Sequence, residues 1–237
     1  MDHTMWVLVA IIAASMSLSG VTMTALTVAY GRPGMARYRI REEPRRKLAG
    51  LAFHARVGLN GLFSALIIFG AALGLRAVLF TTEAAPWWRV ALDVIGVLIT
   101  YDFLYYLLHR YPFHRWGYLK RVHTIHHLAR YPRAIDSLYL HPVENLLGLA
   151  LIFACITGWA LVVGPLSLAS FAVIAVIYTQ LNVIIHAGLD LPAPVAFLGA
   201  MARKHEVHHR SMKQGNYASI TPLFDLLFGT RESEPPR

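Results

Sequence analysis

Long apolar runs fill much of the chain, and basic, histidine-rich segments separate them. The runs lie at about 5–30, 57–80, 87–108, 143–163 and 166–186, and they contain very few charged residues. A helix of about 20 apolar residues can cross a hydrocarbon core of about 30 Å. The pattern therefore predicts an all-α fold, a polytopic transmembrane helical bundle of about four to five spans that forms a single integral-membrane domain over 1–237.

The basic residues fall on one side of this predicted bundle. Eight Lys or Arg lie between the first two spans, six lie in segment 109–142 and six follow the last span, whereas only Arg76 and Arg89 fall on the opposite side. Cytoplasmic loops of membrane proteins are enriched in Lys and Arg. We therefore expect the N-terminus outside and the C-terminus in the cytoplasm. The net charge of +9 then requires no nucleic-acid partner.

The composition agrees with a membrane protein. Hydrophobic residues make up 56% of the chain and charged residues 15%, which is more apolar and less charged than a typical soluble domain. The single cysteine, Cys155, lies in an apolar run and cannot form an intrachain disulfide. Nothing in the cysteine content therefore indicates an oxidising compartment.

Histidines carry the candidate chemistry. The pattern His-x-x-His-His occurs at 123–127 and again at 205–209. In a helix, positions i, i+3 and i+4 share one face, so each triplet can present three imidazoles together. Further histidines lie at the ends of the third and fifth spans. After the third span, Pro112 is expected to bend the chain and bring His109 and His114 together. The candidate ligands are His109, His114, His123, His126, His127, His186, His205, His208 and His209.

This ligand set indicates two metal ions on the cytoplasmic side, in segments 109–142 and 186–230. Nine imidazoles exceed what one tetrahedral zinc uses, and all-nitrogen ligation suits a transition metal rather than calcium or magnesium. An iron pair would activate O₂, whereas a zinc pair would hydrolyse or serve structure, and residue chemistry leaves that choice open. Candidates to hydrogen-bond the ligating imidazoles, with ordinary interfacial charges as the alternative, are Asp102, Asp190, Glu206 and Asp225.

The order and spacing of these residues over about 102–230 resemble the fatty acid hydroxylase and sterol desaturase superfamily of integral-membrane dimetal oxygenases. The motifs, in chain order, are Asp102…Tyr106…His109-Arg110…His114, His123/His126/His127, His141-Pro142-Val143-Glu144, His186, His205/His208/His209 and Asn216-Tyr217…Asp225-Leu226-Leu227-Phe228-Gly229-Thr230. His141 is expected to support the site rather than to ligate, and Asn216 joins the supporting residues through this resemblance.

The resemblance implies a helical bundle with a cytoplasmic cap that holds two iron ions, with zinc as an alternative in purified protein. Such enzymes use O₂ and two electrons to hydroxylate, or sometimes desaturate, a C–H bond of a lipid, and the nine histidines take the ligand role. Some relatives have a further histidine a few residues after His186. Asp190 stands there in this chain, which leaves the ligand number of one metal open.

Electrons are expected from a separate donor, a ferredoxin or a cytochrome b5-like protein with its reductase. The compact chain favours a bacterial inner-membrane enzyme. The competing interpretations are a membrane b-type cytochrome, a metal transporter and a dizinc or other non-redox metal protein of the same fold. Histidines at span ends disfavour the cytochrome, and spans with few ionisable residues disfavour the transporter. The lipid substrate remains open among acyl chains, sterols and related membrane lipids.

Overall fold

The computed structural model describes residues 3–41 and 50–233, and this part of the chain is largely helical. The α-helices are α1 (His3–Gly31), α2 (Leu51–Gly74), α3 (Arg76–Leu79), α4 (Trp87–Leu108), α5 (Gly117–Thr124), α6 (Pro142–Val163), α7 (Leu168–Ile184), α8 (Ala196–His209) and α9 (Leu223–Leu227). Short 3₁₀ turns lie at Pro33–Tyr38, His126–Leu128 and Ala134–Leu138, and a π-helical turn lies at His109–Phe113. The prediction of an all-α bundle is confirmed.

Within residues 3–41 and 50–233, four helices are long and apolar enough to cross a membrane: α1, α2, α4 with its π-helical turn, and α6. The fifth apolar helix, α7, has 17 residues and spans about 25 Å, slightly less than a typical hydrocarbon core. It begins at Leu168 because Leu166–Ser167 forms strand β2, which pairs in parallel with strand β1 at Phe80–Thr81. The predicted range of four to five spans therefore holds.

The second span differs most from its prediction of 57–80. Helix α2 begins six residues earlier, at Leu51, and ends at Gly74. The early start includes Arg56, which lies in the first turns of α2, where a long basic side chain can extend to the membrane surface. After Gly74 the chain forms the single turn of α3 and then enters β1. Charge at the start of an apolar run therefore does not mark the start of the helix.

The bundle packs α1 along α7, α4 against both α6 and α7, and α2 against α6. Its core contains buried side chains from each of these helices, among them Leu8, Ala72, Val97, Ile156 and Ile174. Helices α4 and α6 approach closely where Trp159 covers Gly96. A Cβ atom at Gly96 would lie 2.0 Å from the Trp159 ring, so only glycine fits this position.

A buried carboxylate joins three helices at the end of the bundle away from the histidines. Asp93 of α4 is fully buried and accepts hydrogen bonds from Arg89 Nε at 2.8 Å, Trp159 Nε1 at 2.9 Å and Ser170 Oγ at 2.8 Å. Arg89 also donates to the main chain after α6, at Gly164 O. A buried charge with this many partners stabilises one arrangement of helices, because any displacement leaves polar groups unpaired.

At the histidine end, side-chain amides fix the 3₁₀ turn at Ala134–Leu138 against the bundle. Asn60 of α2 donates to Leu138 O at 3.0 Å and to Leu140 O at 2.8 Å, and Asn145 of α6 donates to Asn60 O at 3.2 Å. The turn packs against α1, α2 and α7. It therefore covers the interior of the bundle from the side where the histidines lie.

Replacing Asp93 with Ala should destabilise the bundle by about 2–4 kcal/mol, because Trp159, Ser170 and Arg89 lose their shared acceptor in a buried site. The measurement is thermal unfolding of the purified protein in detergent. Glu83→Ala is the matched control, since Glu83 lies exposed at the same end of the bundle. Equal unfolding temperatures for the two variants would show that the Asp93 network does not hold the helices together.

Candidate metal centre

The nine candidate histidines lie together in two adjoining groups, and all are buried. Within each group the ligand nitrogens lie within 4.8 Å of one another. The five-histidine group contains His109, His114, His123, His127 and His208, and the four-histidine group contains His126, His186, His205 and His209. Ring centroids of His126 and His127, which lie in different groups, are 6.3 Å apart, so the groups form one centre.

Each His-x-x-His-His triplet contributes histidines to both groups rather than to one group alone. Positions i and i+4 of the first triplet, His123 and His127, belong to the five-histidine group, and His126 belongs to the other. The second triplet is divided in the opposite sense, with His208 alone in the five-histidine group. The second triplet is helical throughout, as expected, whereas the first passes from α5 into the 3₁₀ turn at His126–Leu128.

A π-helical turn brings His109 and His114 together. In a regular α-helix, residues i and i+5 diverge by about 140°. The turn at His109–Phe113 is wider and contains Pro112. The ring centroids of His109 and of His114, which follows the turn, are 5.1 Å apart. Single π-helical turns inside longer helices are common at functional sites. The bend that Pro112 predicts is therefore present, and it is a π-helical turn.

Main-chain carbonyls orient most of the imidazoles. Six Nδ1 atoms lie 2.7–3.2 Å from a carbonyl oxygen, those of His109, His114, His126, His186, His208 and His209. The Nδ1 atom of His123 lies 2.7 Å from the carboxylate oxygen Oε1 of Glu144. A carbonyl or carboxylate oxygen only accepts, so these Nδ1 atoms carry the proton and the Nε2 lone pairs remain free.

Those free lone pairs point at one another. The Nε2 atoms of His109 and His123 are 3.0 Å apart in the five-histidine group, and those of His126 and His186 are 3.0 Å apart in the other. Both members of each pair have their proton on Nδ1, so neither Nε2 can donate. Two acceptors at this distance repel each other unless both bind the same cation. The residues therefore fit one metal ion in each group.

Burial keeps the imidazoles in the ligating form. It lowers the pKa of His114 and of His126 to about 4. Burial, followed by the influence of neighbouring imidazoles, also holds the pKa well below the ordinary value for His123, His127, His205, His208 and His209. Neutral imidazole is the form that binds a metal, so the centre needs no deprotonation near neutral pH.

Asp102 and Asp225 reach the histidines through the main chain. Asp102 accepts from the backbone N–H groups of 219–221 at 2.8–3.0 Å. Asp225 accepts from Tyr217 N at 2.7 Å, and Lys204 Nζ lies 2.9 Å from its other oxygen. Together the two carboxylates fix the loop whose Tyr217 carbonyl binds His109. Among the described residues, Asp102 and Asp225 hydrogen-bond to this loop and not to an imidazole, so they position His109 indirectly.

The other supporting candidates contribute at the edges of the centre. Asn216 has a positive φ of 62° and binds both Lys204 O and Glu232 O, next to the Gly215 carbonyl that orients His208. His141 accepts from Val143 N at 3.1 Å and caps α6. Two acids form ion pairs, Asp190 with Arg203 and Glu206 with Arg210 and Arg41.

Glu144 is the supporting residue that the sequence reasoning did not select. It lies in the first turn of α6, it is 6% exposed, and its Oε1 atom binds His123. Its second oxygen, Oε2, has no hydrogen-bond partner among the described residues. One signal was present in the sequence, because Glu144 is the single charged residue in the apolar run at 143–163. An acid in such a run indicates a functional role.

An apolar cavity of about 240 Å³ lies inside the bundle and ends on the histidines. Its walls come from α1, α2, α4, α6 and α7, and the 3₁₀ turn at Ala134–Leu138 covers it. Five histidines of the two groups line one end: His109, His123, His126, His186 and His205. A smaller cavity of about 40 Å³, lined with residues such as Ile12, Ile156 and Phe171, adjoins it deeper in the bundle.

Glu144→Gln should weaken metal binding by about 10- to 100-fold, because the neutral amide is a poorer acceptor for the His123 Nδ1–H group. Metal affinity is measured by competition with a chelator and metal content by elemental analysis. Glu206→Gln is the matched control, since Glu206 is equally buried in the second triplet but pairs with arginines. Unchanged metal affinity in Glu144→Gln would show that this carboxylate does not support the centre.

The sequence is similar to those of known lipid-modifying enzymes. Residues 94–230 match the family model described as fatty acid hydroxylase. The chain is 34% identical over 187 residues to methylsterol monooxygenase 2-2 of Arabidopsis thaliana, covering 76% of this chain and 66% of the relative. It is 37% identical over 166 residues to very-long-chain aldehyde decarbonylase GL1-11 of Oryza sativa subsp. indica, covering 67% and 58%.

Methylsterol monooxygenase 1 of Rattus norvegicus is 30% identical over 156 residues, covering 62% of this chain and 50% of the relative. The chain thus spans about half to two thirds of the length of these curated relatives. No solved structure matches. The matched segment 94–230 contains all nine candidate ligands and Glu144, whereas α1 and α2 lie outside it.

Proposed function

Because the chain belongs to the fatty acid hydroxylase family, we propose that it is a membrane oxygenase that uses O₂ and two electrons to hydroxylate, or desaturate, a C–H bond of a lipid. The observation that carries this proposal is the apolar cavity that ends on histidines of both groups. Its walls include all four described helices that are long and apolar enough to cross a membrane, so a lipid can bring a hydrocarbon chain to the centre without passing through water.

The names of the relatives support a lipid substrate. Methylsterol monooxygenases act on sterols and the decarbonylases on very-long-chain aldehydes, as their names state. Both are largely hydrocarbon, as is the surface that this cavity presents. The larger and the smaller cavity lie next to each other along α1, α6 and α7, and Met16 and Leu149 belong to both linings. An elongated apolar molecule fits such a space better than a compact polar one.

The spacing of the nitrogens supports iron over tetrahedral zinc. Six Nε2–Nε2 contacts within the two groups measure 2.9–3.1 Å. Nitrogens at about 2.1 Å from an ion are about 3.0 Å apart at neighbouring octahedral positions and about 3.4 Å apart in a tetrahedron. An iron pair bound here would supply O₂ activation, while the histidines hold it in place and the apolar walls exclude water.

We infer that a separate protein delivers the electrons, a ferredoxin or a cytochrome b5-like donor with its reductase. Exposed basic side chains around the histidine end support an acidic donor, among them Arg115, Lys120, Arg121 and Lys213. The same bias toward basic residues supports a cytoplasmic orientation of the centre. Placement in a bacterial inner membrane completes the proposal.

The test is lipid mass spectrometry of cells with and without the protein, followed by reconstitution with iron and a reduced donor. One lipid class should gain the mass of one oxygen atom or lose two hydrogens. His126→Ala and His208→Ala each remove one ligand from a different group, so each should lower product by about a hundredfold or more. His54→Ala, which removes a histidine outside the centre, should leave the product unchanged.

No new lipid product from the iron-loaded, reduced protein would contradict the oxygenase proposal. Full activity with zinc in place of iron would contradict the redox step and favour a non-redox metal protein of the same fold. A haem absorption band in the active protein would instead favour a b-type cytochrome.

A further inference from the structure

Helix α9 and the residue after it present an apolar surface outside the spanning helices. The exposed large apolar side chains, which we call the α9 surface, are Leu223, Leu226, Leu227 and Phe228. Asp225 is the only charged residue between 217 and 230, and it is fully buried, with Lys204 Nζ at 2.9 Å. A contiguous apolar surface without exposed charge marks a place where a protein contacts a partner or a membrane.

The α9 surface lies beside the part of α4 that is expected inside the hydrocarbon. Helix α4 has 22 residues and is about 33 Å long, close to a hydrocarbon thickness of about 30 Å. The ring of Phe224 in α9 is 5.2 Å from that of Phe103, which lies about 7.5 Å before the end of α4 at Leu108. Helix α9 is therefore level with the last turns of a spanning helix and not above them.

The α9 surface continues the apolar face of α4. Ile95 and Leu104 of α4 are exposed, as expected for a spanning helix in contact with lipid. The ring of Phe103, next to Leu104, stacks on that of Phe228 with centroids 6.3 Å apart. Asp102 is the only charged residue in 94–108, and it is fully buried. Lipid that contacts this face of α4 therefore meets no exposed charge on α9.

A basic and aromatic pair borders the α9 surface toward the histidines. Arg110 donates to the hydroxyl of Tyr106, the residue on which Phe228 stacks. Arg110 also lies over the ring of the exposed Tyr111, at 5.3 Å from its centroid. Among the described residues, no acid forms an ion pair with Arg110. An unpaired arginine beside an exposed tyrosine fits the head-group layer, where basic side chains meet lipid phosphates and tyrosine is enriched.

The buried face of α9 supports the metal centre. Asp225 accepts from Tyr217 N at 2.7 Å and from Ala218 N at 3.1 Å, and the Tyr217 carbonyl lies 2.7 Å from His109 Nδ1. A helix of five residues has little stability of its own, so it depends on what packs against it. Lipid on its outer face would therefore help to hold the loop that orients His109.

We propose that the α9 surface is embedded in the bilayer leaflet on the histidine side, with its leucines in the acyl chains and Arg110 at the lipid phosphates. The partner is the lipid surface, because α9 lies at the depth of a spanning helix and the arginine lies at the edge where head groups begin. This inference is independent of the reaction at the histidines, since depth, exposure and charge carry it. It gives the bilayer a part in keeping the loop at 217–221 in position.

The test is the accessibility of a spin label in the full-length protein, reconstituted in vesicles of phosphatidylcholine and phosphatidylglycerol. The buried Cys155 is replaced with Ala, and a nitroxide is attached to Leu227→Cys. Lys213→Cys, at an exposed charged position, is the matched control, and Leu66→Cys on the exposed face of α2 is the reference for lipid contact. Oxygen enters hydrocarbon, whereas a polar nickel chelate does not. The oxygen-to-nickel collision ratio should be about tenfold or more higher at 227 than at 213, and close to that at 66.

Two results would overturn the proposal. A collision ratio at 227 equal to that at 213 would show that the α9 surface faces water. Low collision rates with both reagents, together with spectral broadening that increases with label density, would show that a second copy of the chain covers the surface.

Leu227→Asp gives a second measurement that needs no label. Leu227 is 66% exposed, so the substitution removes little packing within the protein. A charge in hydrocarbon is costly, and this variant should therefore unfold in the same vesicles at a temperature a few degrees below that of the unmodified protein. Lys213→Asp is the control and should change the unfolding temperature less. Equal unfolding temperatures for Leu227→Asp and the unmodified protein would contradict the embedding of α9.

Discussion

The facing lone pairs of buried imidazoles are the constraint on which the centre depends. In each of the two groups, two Nε2 atoms at 3.0 Å from each other belong to rings whose Nδ1 atoms are committed to other acceptors. Such a contact is unfavourable in a protein interior unless both nitrogens bind one positive ion. The fold must therefore supply enough stability elsewhere to bring nine imidazoles together.

That stability comes from the two ends of an apolar bundle. Far from the histidines, Asp93 joins α4, α6 and α7, and Trp159 packs on Gly96. Near the histidines, Asn60 fixes the turn that covers the cavity, and Asp102 and Asp225 fix the loop at 217–221. The helices thus leave an apolar interior between two rigid ends, and the imidazoles line one end of that interior.

Much of this architecture could be predicted from the sequence. Long apolar runs predict helices because a single segment can satisfy its own backbone hydrogen bonds in hydrocarbon only as a helix. The basic segments place the histidine-bearing ends on one side, and the structure gathers His109, His186 and both triplets there. The boundaries of α2 and α7 were less predictable, since the start of α7 depends on pairing between Phe80–Thr81 and Leu166–Ser167.

The details of the centre required the structure. Triplet spacing shows that three imidazoles share a face, but not that His126 and His208 cross to the opposite groups. The π turn depends on packing around Pro112, and the Nδ1 partners are main-chain carbonyls that carry no sequence signal. Asp102 and Asp225 act through a loop more than 100 residues from Asp102, which spacing along the chain cannot show.

X-ray absorption spectroscopy of the iron-loaded protein tests the central claim most directly. The account predicts five imidazole nitrogens around one ion and four around the other, with oxygen ligands completing shells of about five or six neighbours at about 2.1 Å. A four-neighbour tetrahedral shell, sulfur neighbours or the signature of a porphyrin would contradict it.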